Sequence, residues 1–188
     1  ERGECVETAQ VESTESETAG AVLAVKLPEW MERHGIRAVT VGHSGPGRQL
    51  ARSLNMLLRE KRVNGGWVAF AGEAGLSAYS VSPQAVQEMP DLDPPRRAAV
   101  SLGRRFQDPL AEMLKVEPRA LATGSQAHDV NQRRLQEALY RTAEYCVNRV
   151  GLDLNTAPVH LLRFVCGIQM GTAQNLLVER ERLGRFTD

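Results

Sequence analysis

Cys166-Gly167-Ile168-Gln169-Met170-Gly171-Thr172-Ala173 reads as the end of one helix, a tight glycine turn and the start of a second helix. It follows Val147-Asn148-Arg149-Val150-Gly151-Leu152-Asp153-Leu154-Asn155-Thr156-Ala157, a helix end running into a polar turn. The outline is that of a helix-hairpin-helix, whose turn and second helix can offer backbone N–H groups to a phosphate. Such a turn usually carries Gly-x-Gly, and here Gln169 stands at the second glycine. The pattern therefore specifies an architecture more firmly than it specifies binding. The candidate phosphate contacts are Arg163, Gly167, Ile168, Gln169, Gly171 and Thr172. Arg180, Arg182 and Arg185 lie nearby, but Glu179 and Glu181 alternate with two of them, the pattern of a solvated helix face.

Upstream of the hairpin, Leu135, Ala138, Leu139, Thr142, Cys146, Val147 and Val150 predict a helical core face. Residues 123–129 read as a linker, which divides the chain into domains 1–124 and 125–188. In the first domain, Val6 to Val11 suits a strand, and Ala19 to His34 a helix broken or restarted at Pro28. Ile36 to Val41 and Trp67 to Ala71 are short, apolar runs suited to buried strands. Between them Arg48 to Arg62 carries a helical stripe at Leu50, Leu54, Leu57 and Leu58. Strand, helix, strand with short loops implies a parallel pair joined by a right-handed crossover. Ser82 should cap a helix from Pro83, Asp93 or Pro94 should start another through Phe106, and Asp108-Pro109 a further short one.

The chain has 188 residues, 42% of them hydrophobic, enough for one sizeable domain with or without a small appendage. No apolar run approaches the roughly 20 residues of a membrane span. The N-terminal Glu1-Arg2-Gly3-Glu4 has neither an apolar signal core nor a transit-peptide composition, and the missing initiator Met suggests a processed or cut-down chain. Formal charge is zero, unlike the overall basicity of many nucleic-acid binders. Cys5, Cys146 and Cys166 are far apart and odd in number, with Cys146 and Cys166 on apolar helical faces, which points to structural thiols in a reducing, intracellular compartment. His34, His43, His128 and His160 form no metal-ligand cluster, so no metal and no cofactor are expected.

Two stretches invite a chemical reading. Gly42-His43-Ser44-Gly45-Pro46-Gly47 has phosphate-loop spacing between a strand and a helix, but Arg48 and Gln49 follow where nucleotide hydrolysis needs Lys and Ser/Thr. Glu73 lies just past the second strand, where two-metal nucleases hold magnesium with several acids. One acid cannot hold two metals, so Glu73 is at most a vestigial catalytic candidate.

Ala71-Gly72-Glu73-Ala74-Gly75 with Tyr79-Ser80, Pro90-Asp91-Leu92-Asp93 and Arg104-Arg105-Phe106-Gln107-Asp108-Pro109-Leu110-Ala111-Glu112 together resemble the Tex family of transcription accessory proteins. His128-Asp129-Val130-Asn131-Gln132 and the run from Cys146 to Ala157 resemble it more closely still. The resemblance is strong from about Val39 onward. It implies an α/β, incomplete ribonuclease-H-like (YqgF) domain followed by an all-α helix-hairpin-helix domain. Full family members add an N-terminal helical region and a C-terminal OB-fold RNA-binding domain, so the chain is expected to be truncated at both ends. The leading metal-binding Asp of an active ribonuclease-H-like domain has no candidate here, and the family is regarded as binding nucleic acid without nuclease activity. Gln169-Met170 stand where the family usually has Gly-Pro, which weakens the case for phosphate gripping by this hairpin.

The function expected from all this is a non-catalytic nucleic-acid-binding module of a Tex-like transcription accessory or RNA-associated factor. Its expected partners are nucleic acid, RNA ahead of DNA, and other subunits of a transcription or ribonucleoprotein complex, with no membrane. One alternative is a protein-interaction scaffold built into a large ribonucleoprotein such as a ribosome. A second is a metal-dependent ribonuclease-H-like nuclease.

Overall fold

The computed structural model describes residues 3–9, 16–60, 65–121 and 129–186. The chain divides into two compact units, Glu1–Gln107 and Asp108–Asp188. The linker-like composition of 123–129 places the boundary later, between 124 and 125, whereas the packing of Leu114 with Ala143, Val147, Leu161 and Phe164 assigns residues from 108 onward to the second unit. Of the expected linker 123–129, residues 123–128 lie outside the described residues.

The first unit is built around a parallel strand pair, β1 (Ala38–Gly42) and β2 (Trp67–Ala71), in register from Ala38 opposite Trp67 to Gly42 opposite Ala71. They are joined by helix α2 (Gly45–Glu60), as the strand–helix–strand pattern predicts. Helix α1 (Ser16–His34) precedes them and runs through Pro28 without a break. Packing outweighs the lost backbone bond, because Leu27 and Met31 are anchored in a core with Val41, Ala51, Leu54 and Leu58. No strand is present at residues 3–9, so the described part of the expected strand from Val6 is irregular, and residues 10 and 11 lie outside the description. What ties this segment down is polar: Glu7 accepts from His34 (3.0 Å) and Arg33 (3.3 Å). The hydrogen bond with His34 holds the Glu7 carboxyl below its ordinary range.

After β2 come α3 (Leu76–Ser80), α4 (Pro83–Glu88) and α5 (Pro94–Gln107). Ser82 caps α4 by accepting from Ala85 N, and the Asp93 carboxylate accepts from Arg96 N at the start of α5, each as its sequence predicts. Helix α5 lies against both strands and α3. Its Arg97 is buried and donates to the carbonyls of Met89 (3.0 Å) and Ser80 (3.3 Å), which ties α3 and α4 to α5.

Every regular element among the described residues of the second unit is a helix: α6 (Pro109–Met113, capped by Asp108), α7 (Pro118–Leu121), α8 (Gln132–Val150), α9 (Val159–Leu162) and α10 (Met170–Leu183). Helix α8 buries Ala143 and Val147, whereas Ala138, Thr142, Cys146 and Val150 are exposed, and Leu135 and Leu139 are half-buried. The core face is thus rotated from the one expected. It turns to bring Tyr140 onto Phe164, with stacked rings 5.9 Å apart. Cys166 is also exposed, in the turn rather than on an apolar face.

Tyr140 makes a pH-dependent contact in the second unit. Its hydroxyl donates to Glu117 (2.9 Å), and burial, then the bond and charge of Glu117, raise its pKa. A group raised on folding contributes stability that is complete below its unfolded pKa and is lost as pH rises through the folded one. Glu117→Gln should therefore shift the phenolate absorbance titration to lower pH. An unmoved titration would mean that this bond does not form in solution.

Candidate nucleic-acid interface

The run from Leu152 to Ala157 folds as a turn organised by Asp153. Its carboxylate accepts from Asn155 N (2.9 Å), and its carbonyl from Thr156 N (3.1 Å) and Ala157 N (2.8 Å). Asn155 then grips Phe186 through both backbone groups, Nδ2 to O at 3.2 Å and N to Oδ1 at 2.7 Å. Arg180 donates to the carbonyls of Leu154 (3.0 Å) and Ala157 (2.9 Å), so it is structural rather than part of a solvated face. Asn148 does the same from α8, donating to Phe164 O (2.9 Å) and accepting from Cys166 N (3.1 Å). An asparagine in a helix interior is a poor helix former, and that was the available signal for Asn148.

These clips fix the hairpin. Gly167 makes the turn at φ 85°, a left-handed conformation that suits glycine. The first bond within α10 is Ala173 N to Gln169 O, so the N–H groups of Met170, Gly171 and Thr172 have no acceptor inside the helix. Gln169 is the N-cap, and its side chain makes no capping bond. Gly167, Gln169, Met170, Gly171 and Thr172 are all exposed, and Ile168 is half-buried against Ala157, Leu162 and Ala173. A Cβ at Gly171 would meet nothing within 4 Å, so a side chain placed there has room. Arg163 follows α9, half-buried, with its guanidinium 4.8 Å over the Phe164 ring. The hairpin thus joins a helix N-terminus to a glycine turn, with one stacked arginine close in sequence.

Glu73 occupies a different setting. Its carboxylate accepts from Ser44 N (2.9 Å) and Ser44 Oγ (3.5 Å), at the carboxyl ends of the two parallel strands. Ser44 Oγ in turn accepts from Gly47 N (3.3 Å) and caps α2. A Cβ on Gly42 would collide with the Glu73 carboxylate, and one on Gly47 with the Gly42 carbonyl. Gly42 and Gly47 of the apparent phosphate loop are thus held to glycine by close packing within the chain, whereas a Cβ on Gly45 would meet nothing within 4 Å. From α5, the buried Arg105 donates through Nη1 to the carbonyls of Gly72 and Ala74, both at 2.7 Å, on either side of Glu73. Sequence reasoning missed Arg105, whose composition signal is that of any helix cation. Among the described residues no group of three or more His, Cys, Asp or Glu could hold a metal ion, and no helix is long and apolar enough to cross a membrane.

Residues 1–107 match the Tex protein YqgF-like domain, and residues 147–188 match the helix-hairpin-helix motif. The chain belongs to the Tex YqgF-like family. It is 39% identical over 160 residues to the transcriptional accessory protein Tex of Neisseria gonorrhoeae, covering 85% of this chain and 21% of that protein. It is 41% identical over 167 residues to protein YhgF of Escherichia coli, covering 88% of this chain and 22% of that one. With the human S1 RNA-binding domain-containing protein 1 it shares 48% identity over 114 residues, 61% of this chain and 12% of that one. The chain thus spans about a fifth of the length of these two bacterial relatives. Family membership accounts for the α/β YqgF-like unit followed by an all-α hairpin unit.

Proposed function

We propose that the chain is a non-catalytic nucleic-acid-binding module of a Tex-like transcription accessory factor, and that its hairpin contacts the sugar–phosphate backbone. The observation that carries this reading is the start of α10. The N–H groups of three exposed residues there, Met170, Gly171 and Thr172, lack an acceptor inside the helix and follow a left-handed glycine. A phosphate satisfies such donors and is favoured by the helix dipole. The relative named for an S1 RNA-binding domain makes RNA the ligand to try first. A non-catalytic role is supported by Glu73, whose carboxylate is engaged by Ser44.

Contacts to the backbone read charge and shape, so binding should be weak, insensitive to sequence and lost as salt rises. Fluorescence anisotropy with duplex and single-stranded RNA and DNA across a salt series measures it. Gln169→Gly should tighten binding, and Gly171→Asp should weaken it by placing a like charge at the phosphate position. The same mixtures with magnesium or manganese should show no cleavage on a gel, and cleavage abolished by Glu73→Ala would overturn the non-catalytic reading. If the wild type binds none of the four nucleic acids at low salt and Gln169→Gly restores nothing, the scaffold role takes its place.

A further inference from the structure

One face of α8 is used by neither the core nor the hairpin. Arg134, Ala138, Arg141, Tyr145 and Arg149 recur every three or four residues, so they share one side of the helix. All five are exposed, opposite the buried Ala143 and Val147. Among the described residues neither the Arg134 nor the Arg141 guanidinium has an ion pair. The acids of α8 are occupied beside the face: Glu137 pairs with Arg133 (3.2 Å), and Glu144 lies 3.7 Å from Cys166 Sγ. Tyr145 is 61% exposed for a large aromatic ring, and it is held in place. Arg149 donates to its hydroxyl at 2.9 Å, with the guanidinium 6.0 Å from the ring centroid.

An ordered, solvent-facing ring flanked by arginines about 6 Å along the helix on either side is a stacking platform set among phosphate-binding charges. We propose that this face takes single-stranded nucleic acid, with a base stacked on Tyr145 and neighbouring phosphates on Arg141 and Arg149. Charge complementarity selects the occupant: the face has three cations, no acid, and no aliphatic side chain larger than that of Ala138 to seat an apolar partner. The inference rests on the nucleic-acid reading above but uses none of the hairpin residues.

The test is anisotropy of the full chain with labelled oligo-uridylate and with an RNA duplex, comparing wild type, Tyr145→Ala, Tyr145→Phe, Arg141→Glu and Gly171→Asp. Tyr145→Ala should weaken single-strand binding about tenfold and leave duplex binding unchanged, while Tyr145→Phe keeps both. Arg141→Glu should weaken single-strand binding and flatten its salt dependence. Circular dichroism melts of the variants should match wild type, since the altered side chains are on the surface. Single-strand binding that survives Tyr145→Ala and Arg141→Glu but falls with Gly171→Asp would overturn this site and leave the hairpin reading standing. No single-strand binding by wild type at low salt would overturn it as well, and no duplex binding either would remove the hairpin reading too.

Discussion

Phe164→Ala should lower the stability of the hairpin unit by about 3–5 kcal/mol, the range for emptying a buried aromatic site. The side chain is 3% exposed and lies in a core with Leu114, Val147 and Leu161. Its ring also stacks on Tyr140 and carries the Arg163 guanidinium, so truncation removes two ring contacts as well as apolar area. Its carbonyl is held by Asn148, which keeps the backbone from closing the gap. Hydrogen exchange over 132–150, followed by mass spectrometry, gives the readout. Phe164→Leu should recover part of the loss, because it refills most of the volume without restoring the stack. Unchanged exchange in Phe164→Ala would place the core of this unit elsewhere.

This residue also marks where the sequence stops being legible. The longer helices, the parallel pair and the caps at Ser82 and Asp108 follow from local rules: apolar period, β-branched runs and side chains that bond the first-turn N–H. The rotation of α8 does not. A stripe through Leu135, Leu139 and Cys146 fits the helical period as well as the observed one through Tyr140, Ala143 and Val147. The choice is made by Phe164, which lies 24 residues after Tyr140 in the chain and stacks on it. Pro28 fails as a breaker for a similar reason, since Leu27 and Met31 are packed in the core on either side of it. The hairpin was readable as a turn with a start for α10, but the clips that fix it were not. Asn148, Asn155 and Arg180 act on backbone carbonyls and N–H groups, whose positions leave no trace in composition, and only Asn148 stands out at all, as a poor helix former within α8.

The strand-end site gives the second large effect. Arg105→Met keeps a long side chain in α5 but removes the donor that Gly72 and Ala74 share. Each orphaned carbonyl costs about 1–3 kcal/mol, so the first unit should lose about 2–6 kcal/mol. The loss should also travel to Glu73. With Gly72 and Ala74 untethered, its carboxylate no longer has a fixed approach to Ser44, and the Ser44 amide should exchange faster with solvent. Glu73→Gln separates the two layers of this arrangement. It leaves Arg105 on its carbonyls and keeps an oxygen for Ser44 N, so it should weaken the loop without the full loss seen in Arg105→Met. Trp30 and Trp67 both lie in this unit, so the tryptophan fluorescence midpoint in urea follows its unfolding. If Arg105→Met leaves both that midpoint and Ser44 exchange at wild-type values, the 72–74 turn is held by something other than the guanidinium. If instead both move together, Glu73 is placed by a buried cation on one side and used by a helix cap on the other. A carboxylate so placed, with the glycine at 42 making room for it, has a role in the fold that requires no metal.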